Sequence, residues 1–183
     1  MQKGKRRMIL DANITLTELL LKIVLPLVIA GVVGAFVGIE RQNVGKAAGL
    51  SSHILVATAS AGIAIMQRLM FEYQIDLQAL GVAIDPEGQR VIAQVVTGIG
   101  FIGAGVIIKD QSQVVKGITT AATIWFTAMV GLILGSGYII LGSILGGFVI
   151  IFIIWRDLSR GFNPFKPRHP DVHLPHNYHE DEH

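Results

Sequence analysis

The chain has 183 residues, of which 51% are apolar and only 15% charged, and its mean hydropathy is +0.57. Soluble domains carry about 25% charged residues, so too few polar side chains are present to cover a water-soluble globule, and so much apolar surface argues against disorder. Fifteen Lys and Arg against 13 Asp and Glu leave a dispersed charge of +2, a poor fit to a nucleic-acid binder, and the absence of cysteine excludes disulfides, thiolate nucleophiles and cysteine-ligated metals.

A basic amino-terminal segment, 1–15, holds Lys3, Lys5, Arg6 and Arg7. Apolar runs follow at about 19–39, 54–70, 91–108, 117–135 and 138–155. Each approaches the roughly 20 residues that cross a hydrocarbon core. Backbone groups in lipid need internal partners, so separated runs of this length predict helices. The expected fold is all-α, a polytopic transmembrane bundle of about five spans over 16–155, with a mobile histidine-rich tail over 156–183.

The first run carries Glu18 and Lys22 and lacks a small-residue cleavage site, so it reads as a retained span and not as a signal peptide. The second is short and frayed by Gln67 and Arg68. The connection 71–90 reads as an acidic loop with Glu72, Asp76, Asp85 and Glu87. The third run contains GIGFIGAG at 98–105, which lacks the strand–turn–helix setting of a dinucleotide loop and leaves two readings, a packing surface or a broken helix. The fourth and fifth runs meet at Gly135-Ser136-Gly137, which calls for a tight antiparallel hairpin.

Small and polar residues recur at helical spacing. Gly31, Gly34 and Gly38 continue to Arg41; His53, Ala57, Ser60, Ala64 and Gln67 form a second stripe; Gln94, Gly98, Phe101 and Gly105 form a third. Thr120, Thr123, Thr127 and Gly131 line the fourth run, and Gly142 and Gly146 the fifth. Lipid supplies no hydrophobic drive for helix association, so such stripes are expected at close helix contacts. Gly34, Gly38, Gln94, Gly98, Gly103, Gly105, Thr119, Thr120 and Thr123 are therefore assigned to helix packing or to a polar path.

Counting Lys and Arg favours the amino terminus outside and the carboxyl terminus in the cytoplasm, because Arg41, Lys46, Lys109, Lys116, Arg156, Arg160, Lys166 and Arg168 then lie inside, against Arg68, Arg90 and the four of the amino-terminal cluster outside. Charges near the hydrophobic limit sit either at the headgroups or in pairs within the bundle, and their positions here fit the headgroups. In this topology Glu40, Arg41, Lys46, His53, Lys109 and Lys116 gather at the cytoplasmic edge as a candidate site for a partner, an anion or a lipid headgroup. Asp85 falls on the opposite face, in the acidic loop.

No HExxH, GxSxG or supported Ser, His and Asp set is present, so no enzyme and no cofactor are expected. The tail contributes His169, His173, His176, His179 and His183 among four prolines, a candidate weak metal or pH-sensing segment.

The blocks GAFVGIERQNVGKAAGLSSHILVATASA at 34–61, DPEGQRVIAQVVTGIGFIGAGVIIKD at 85–110 and VVKGITTAATIWFTAMVGLILGSGYIILG at 114–142 resemble the MgtC/SapB family of bacterial inner-membrane proteins. The family's glycine–acid–arginine signature falls on Gly38, Glu40 and Arg41, its Ala-Gly-Leu turn on Ala48 to Leu50, and its histidine on His53. Its Asp-Pro element falls on Asp85-Pro86, its glycine-rich core on Gly98 to Gly105, and its threonine element on Thr119, Thr120, Thr123 and Trp125. Ser51 and Lys109 stand where arginine is common, and Gly88-Gln89 lengthens the connection after Asp85-Pro86. The resemblance implies a bacterial inner-membrane regulator linked to magnesium limitation, stress or virulence. Its implied partners are the lipid bilayer, the membrane ATP synthase or another inner-membrane protein, and further copies of the chain. A small ion transporter or channel, for instance for a divalent cation, is the alternative, and a lipid-binding or sensing module is a third.

Overall fold

A computed structural model describes residues 15–79, 81–82, 89–109, 113–159 and 161. Five helices dominate: α1 (Leu16–Asn43, with one π-turn at Leu20–Val24), α2 (Leu50–Ala79), α3 (Gln89–Gly105), α4 (Ile118–Gly135) and α5 (Ile139–Ser159). A short antiparallel pair, β1 (Ile108–Lys109) and β2 (Val115–Lys116), joins α3 to α4, with Ile108 opposite Lys116 and Lys109 opposite Val115.

Local chemistry sets the helix ends. Thr15 opens α1 through a capping box: its hydroxyl accepts from the Glu18 N–H, and the Glu18 carboxylate accepts from the Thr15 N–H. At the other end of α1, Gly45 takes a left-handed conformation (φ +69°), which turns the chain toward α2. Between α4 and α5, Gly137 does the same (φ +97°), and the Tyr138 N–H reaches back to the Ile133 carbonyl. That is the tight hairpin the sequence predicts.

Four helices, α1, α2, α4 and α5, are long and apolar enough to cross a membrane, and α3 is a shorter apolar helix. The chain is thus a polytopic helical bundle of four such helices plus α3. The glycine-rich stretch within α3 is continuous helix through Gly105 and is not broken, and of its glycines Gly103 alone lies against another helix, at Ala121. Helix α2 is longer than its apolar run: Gln67 is buried, and Glu72 and Asp76 belong to the helix, not to a loop. Helix α5 likewise continues past residue 155 to Ser159.

Helix α4 is central and touches all four others. Its contact with α2 is close because glycine removes the side chain at the crossing. A Cβ on Gly131 would strike the Ala57 carbonyl, and one on Gly135 the Ala61 carbonyl. On the α1 side, a Cβ on Gly34 would lie 2.7 Å from the His53 carbonyl oxygen, and one on Gly38 2.6 Å from the Leu50 Cα. The stripes of α1, α2, α4 and α5 therefore face inward, as their spacing predicts. The α3 stripe faces the other way: Gln94, Gly98, Phe101 and Gly105 are exposed, and Ile99 and Gly103 make the contact. Glycine on opposite sides of α3 leaves its period ambiguous, so spacing alone does not select the face that packs within this chain.

Candidate functional site

Two buried polar groupings occupy the same end of the bundle. The first is built where the end of α1 meets the end of α5. Glu40 and Arg41 are 1% and 2% exposed, and Asp157 is 3% exposed. The Arg41 guanidinium donates through Nε and a terminal nitrogen to both Glu40 oxygens. Arg156 donates to Glu40 Oε1 at 2.7 Å and, through Nε and a terminal nitrogen, to Asp157 Oδ1 at 3.0 and 2.9 Å. The chain of contacts therefore alternates sign, Arg41–Glu40–Arg156–Asp157. Two carboxylates face two guanidiniums, so the network is neutral as a whole. The second Asp157 oxygen, Oδ2, is buried without a partner among the described residues.

These side chains differ from the headgroup placement expected for Glu40 and Arg41. The reason is electrostatic: a buried charge left without a partner costs several kcal/mol, and here Glu40 is paired with Arg41 while Arg156, supplied by α5, bridges Glu40 and Asp157. Sequence reasoning misses Arg156 and Asp157 because hydropathy ends the fifth run at residue 155. An Arg-Asp pair at the close of an apolar run, set beside a Glu-Arg pair at the close of another, is the signal that could have found them.

The second grouping joins α2 to α4. His53 is completely buried. Its Nδ1 lies 2.9 Å from the Gly49 carbonyl oxygen, which can only accept, so Nδ1 carries the proton and donates. Its Nε2 lies 3.2 Å from Thr123 Oγ1, which is itself 2.9 Å from the Thr120 carbonyl. Thr127 donates to the Thr123 carbonyl at 2.6 Å. The loop before α2 is held by Gln42, whose Oε1 accepts from the Leu50 N–H.

The structure thus brings Glu40 and Arg41 together, and His53 to Thr123 and Thr120, with Gly34 and Gly38 pressed against the start of α2. Lys46, Lys109, Lys116 and Thr119 are exposed. Gln94, Gly98 and Gly105 are exposed, and a Cβ on Gly98 or Gly105 would meet nothing within 4 Å, whereas one on Gly103 would meet Ala121. Asp85 and His169, His173, His176, His179 and His183 lie outside the described residues. Among the described residues no group of three or more His, Asp or Glu is placed to hold a metal ion.

At the opposite end, Arg68 performs a task that fraying does not describe. Pro26 has no N–H to offer the Lys22 carbonyl one turn earlier, and Arg68 donates to that carbonyl at 2.5 Å from α2. Lys22 in turn approaches Glu72 at 3.6 Å.

The profile of the MgtC family matches residues 27–160. Over 131 residues, 72% of this chain, the sequence is 40% identical to YhiD of Escherichia coli K12, a protein provisionally described as a magnesium transporter, and covers 58% of it. Protein SapB of Bacillus subtilis strain 168 is 37% identical over 116 residues, 63% of this chain and 48% of that protein. Protein MgtC of Brucella abortus strain 2308 is 37% identical over 121 residues, 66% of this chain and 45% of that protein. The chain spans about half the length of these curated relatives. No solved structure matches significantly.

Proposed function

We propose, from the premise that this chain belongs to the MgtC family, that it is an inner-membrane regulatory protein acting by non-covalent contact with another membrane protein. The observation that carries this reading is the charge balance of the buried network. A hard divalent cation takes several oxygen ligands with uncompensated charge, whereas Glu40 and Asp157 are already neutralised by Arg41 and Arg156. Such a network fixes the relation of the first helix to the last. It holds one end of the bundle in a single shape that a partner can read.

With the amino terminus outside, that end is the cytoplasmic edge. Lys46 is exposed there, and Glu40, Arg41 and His53 act from beneath the surface by holding the edge in place. The family resemblance points to magnesium limitation, stress or virulence as the setting, and to the membrane ATP synthase or another inner-membrane protein as the partner, with self-association as a further mode. Ion transport is the second reading, favoured by the description attached to YhiD.

Purified protein in liposomes tests the choice. A regulator passes no magnesium; saturable flux abolished by Thr123→Val would establish transport instead. In native membranes, crosslinking is expected to capture a distinct membrane protein, and the adduct weakens in Lys46→Gln and Glu40→Gln. Recovery of self-contacts alone would reject the partner reading.

A further inference from the structure

A single hydroxyl proton stands between two acceptors where α2 meets α4. The Gly49 carbonyl accepts from His53 Nδ1 at 2.9 Å, which leaves Nε2 to face α4. There Thr123 Oγ1 lies 3.2 Å from Nε2 and 2.9 Å from the Thr120 carbonyl oxygen. Thr123 has one proton to give, so its hydroxyl donates to Nε2 or to the Thr120 carbonyl, and not to both.

Each choice belongs to a different protonation state of the ring. When the Thr123 hydroxyl donates to Nε2, the imidazole is neutral. When it turns to the Thr120 carbonyl, the ring stays bonded to Thr123 only if Nε2 carries a hydrogen of its own. His53 is then a cation with an acceptor for each N–H, the Gly49 carbonyl and Thr123 Oγ1. The same heavy-atom positions serve both states, and close packing holds them: Gly131 presses α4 onto the Ala57 carbonyl, and Gly34 presses α1 onto the carbonyl of His53 itself. Among the described residues the charges that face the ring are Glu40 and Arg41 of α1, already paired with each other. Arg156 and Asp157 of α5 connect to this pair through Glu40. Helix α4 holds no titratable residue, and Arg90, the one charge of α3, stands at the far end of that helix. His53 lies in the first turn of α2, beside the loop that carries the exposed Lys46, so water is within reach of this end.

We propose that His53 and Thr123 form a one-proton switch. A proton taken from water forms the new N–H bond at His53 Nε2, and the Thr123 hydroxyl rotates from His53 to the Thr120 carbonyl of its own helix. The neutral ion network alongside thereby gains a neighbour of positive charge. The bundle keeps its shape, and what changes at this end is its charge. A charge-assisted hydrogen bond is about twice as strong as a neutral one, so Thr123 serves the cation more than the neutral ring. The proposal goes beyond the regulatory reading and does not depend on it, because proton uptake is a property of the chain alone.

Five of the six histidines are His169, His173, His176, His179 and His183, so replacing them by glutamine in the full chain leaves His53 as the single imidazole. Nitrogen NMR of that protein in nanodiscs separates protonated from unprotonated ring nitrogens. From about pH 8 to about pH 5, the Nε2 resonance is expected to move from the unprotonated to the protonated position, while Nδ1 stays protonated throughout. Thr123→Val should weaken proton binding about tenfold, and Thr123→Ser, which keeps the hydroxyl, should restore it. Melting curves of each variant verify the fold. An Nε2 that stays unprotonated over the whole range, or that changes only as the protein unfolds, would overturn the proposal. So would an Nδ1 that lacks its proton at the alkaline end. Equal titration of the wild type and Thr123→Val would remove Thr123 from the switch.

Discussion

Glu40→Gln is the most informative single change, because it removes the charge on which the buried Arg41 and the part-buried Arg156 guanidiniums converge. Breaking a buried pair by removing one partner costs about 3–5 kcal/mol. Arg156 keeps 13% of its side chain exposed, so it can turn its head toward water and recover part of its hydration. The lower end applies, about 3 kcal/mol, or roughly 150-fold in the folding equilibrium. Arg156→Gln should cost a similar amount, since it leaves Asp157 without donors. The double variant keeps one acid and one base, Asp157 and Arg41, and is again neutral. Its cost should fall short of the sum by about 1.5–3 kcal/mol, the coupling expected of residues in one ion network. Reversible unfolding of the four proteins in the same micelle measures this cycle. Additivity within about 0.5 kcal/mol would refute the bridge between α1 and α5.

Three further outcomes follow from contacts described above. Gly131→Ala should destabilise by about 1–3 kcal/mol, because its Cβ meets a backbone carbonyl that cannot step aside, whereas Gly98→Ala, which points into open space, should be neutral or stabilising by up to about 1 kcal/mol; paired melting curves decide. Thr123→Val, which strips the partner from His53 Nε2, should cost about 1–3 kcal/mol, while Thr119→Val on the exposed side should stay within about 0.5 kcal/mol. Arg68→Met should cost about 1–3 kcal/mol by orphaning the Lys22 carbonyl, and Pro26→Ala in that background should restore part of the loss by supplying the missing N–H. No rescue would mean that Arg68 acts elsewhere.

The parts of this architecture that were legible in the sequence are those governed by a single period. His53, Ala57, Ser60, Ala64 and Gln67 recur every three or four residues and all turn inward, as do Thr120, Thr123, Thr127 and Gly131. Contacts between distant segments were not legible. Glu40 and Arg156 are 116 residues apart, and nothing in either local pattern names the other. Arg68 reads as a break in an apolar run, and its purpose emerges only once Pro26 is seen to leave a carbonyl without a donor. The pairing of Ile108–Lys109 with Val115–Lys116 was hidden because hydropathy runs continuously through Ile107 and Ile108 and cannot distinguish the last turn of a helix from the first residue of a strand.

The unequal helix lengths reach beyond the protein itself. At about 1.5 Å per residue, α1 and α2 extend for roughly 42 and 45 Å, whereas α3 and α4 extend for only about 26 and 27 Å. The apolar runs inside these helices are closer in length, and the extra turns of the long pair carry charge, Glu18 and Lys22 at the start of α1 and Glu72 and Asp76 toward the end of α2. Charged turns stand at the headgroups and not in hydrocarbon, so α1 and α2 together raise a polar shoulder at the end where Lys22 approaches Glu72.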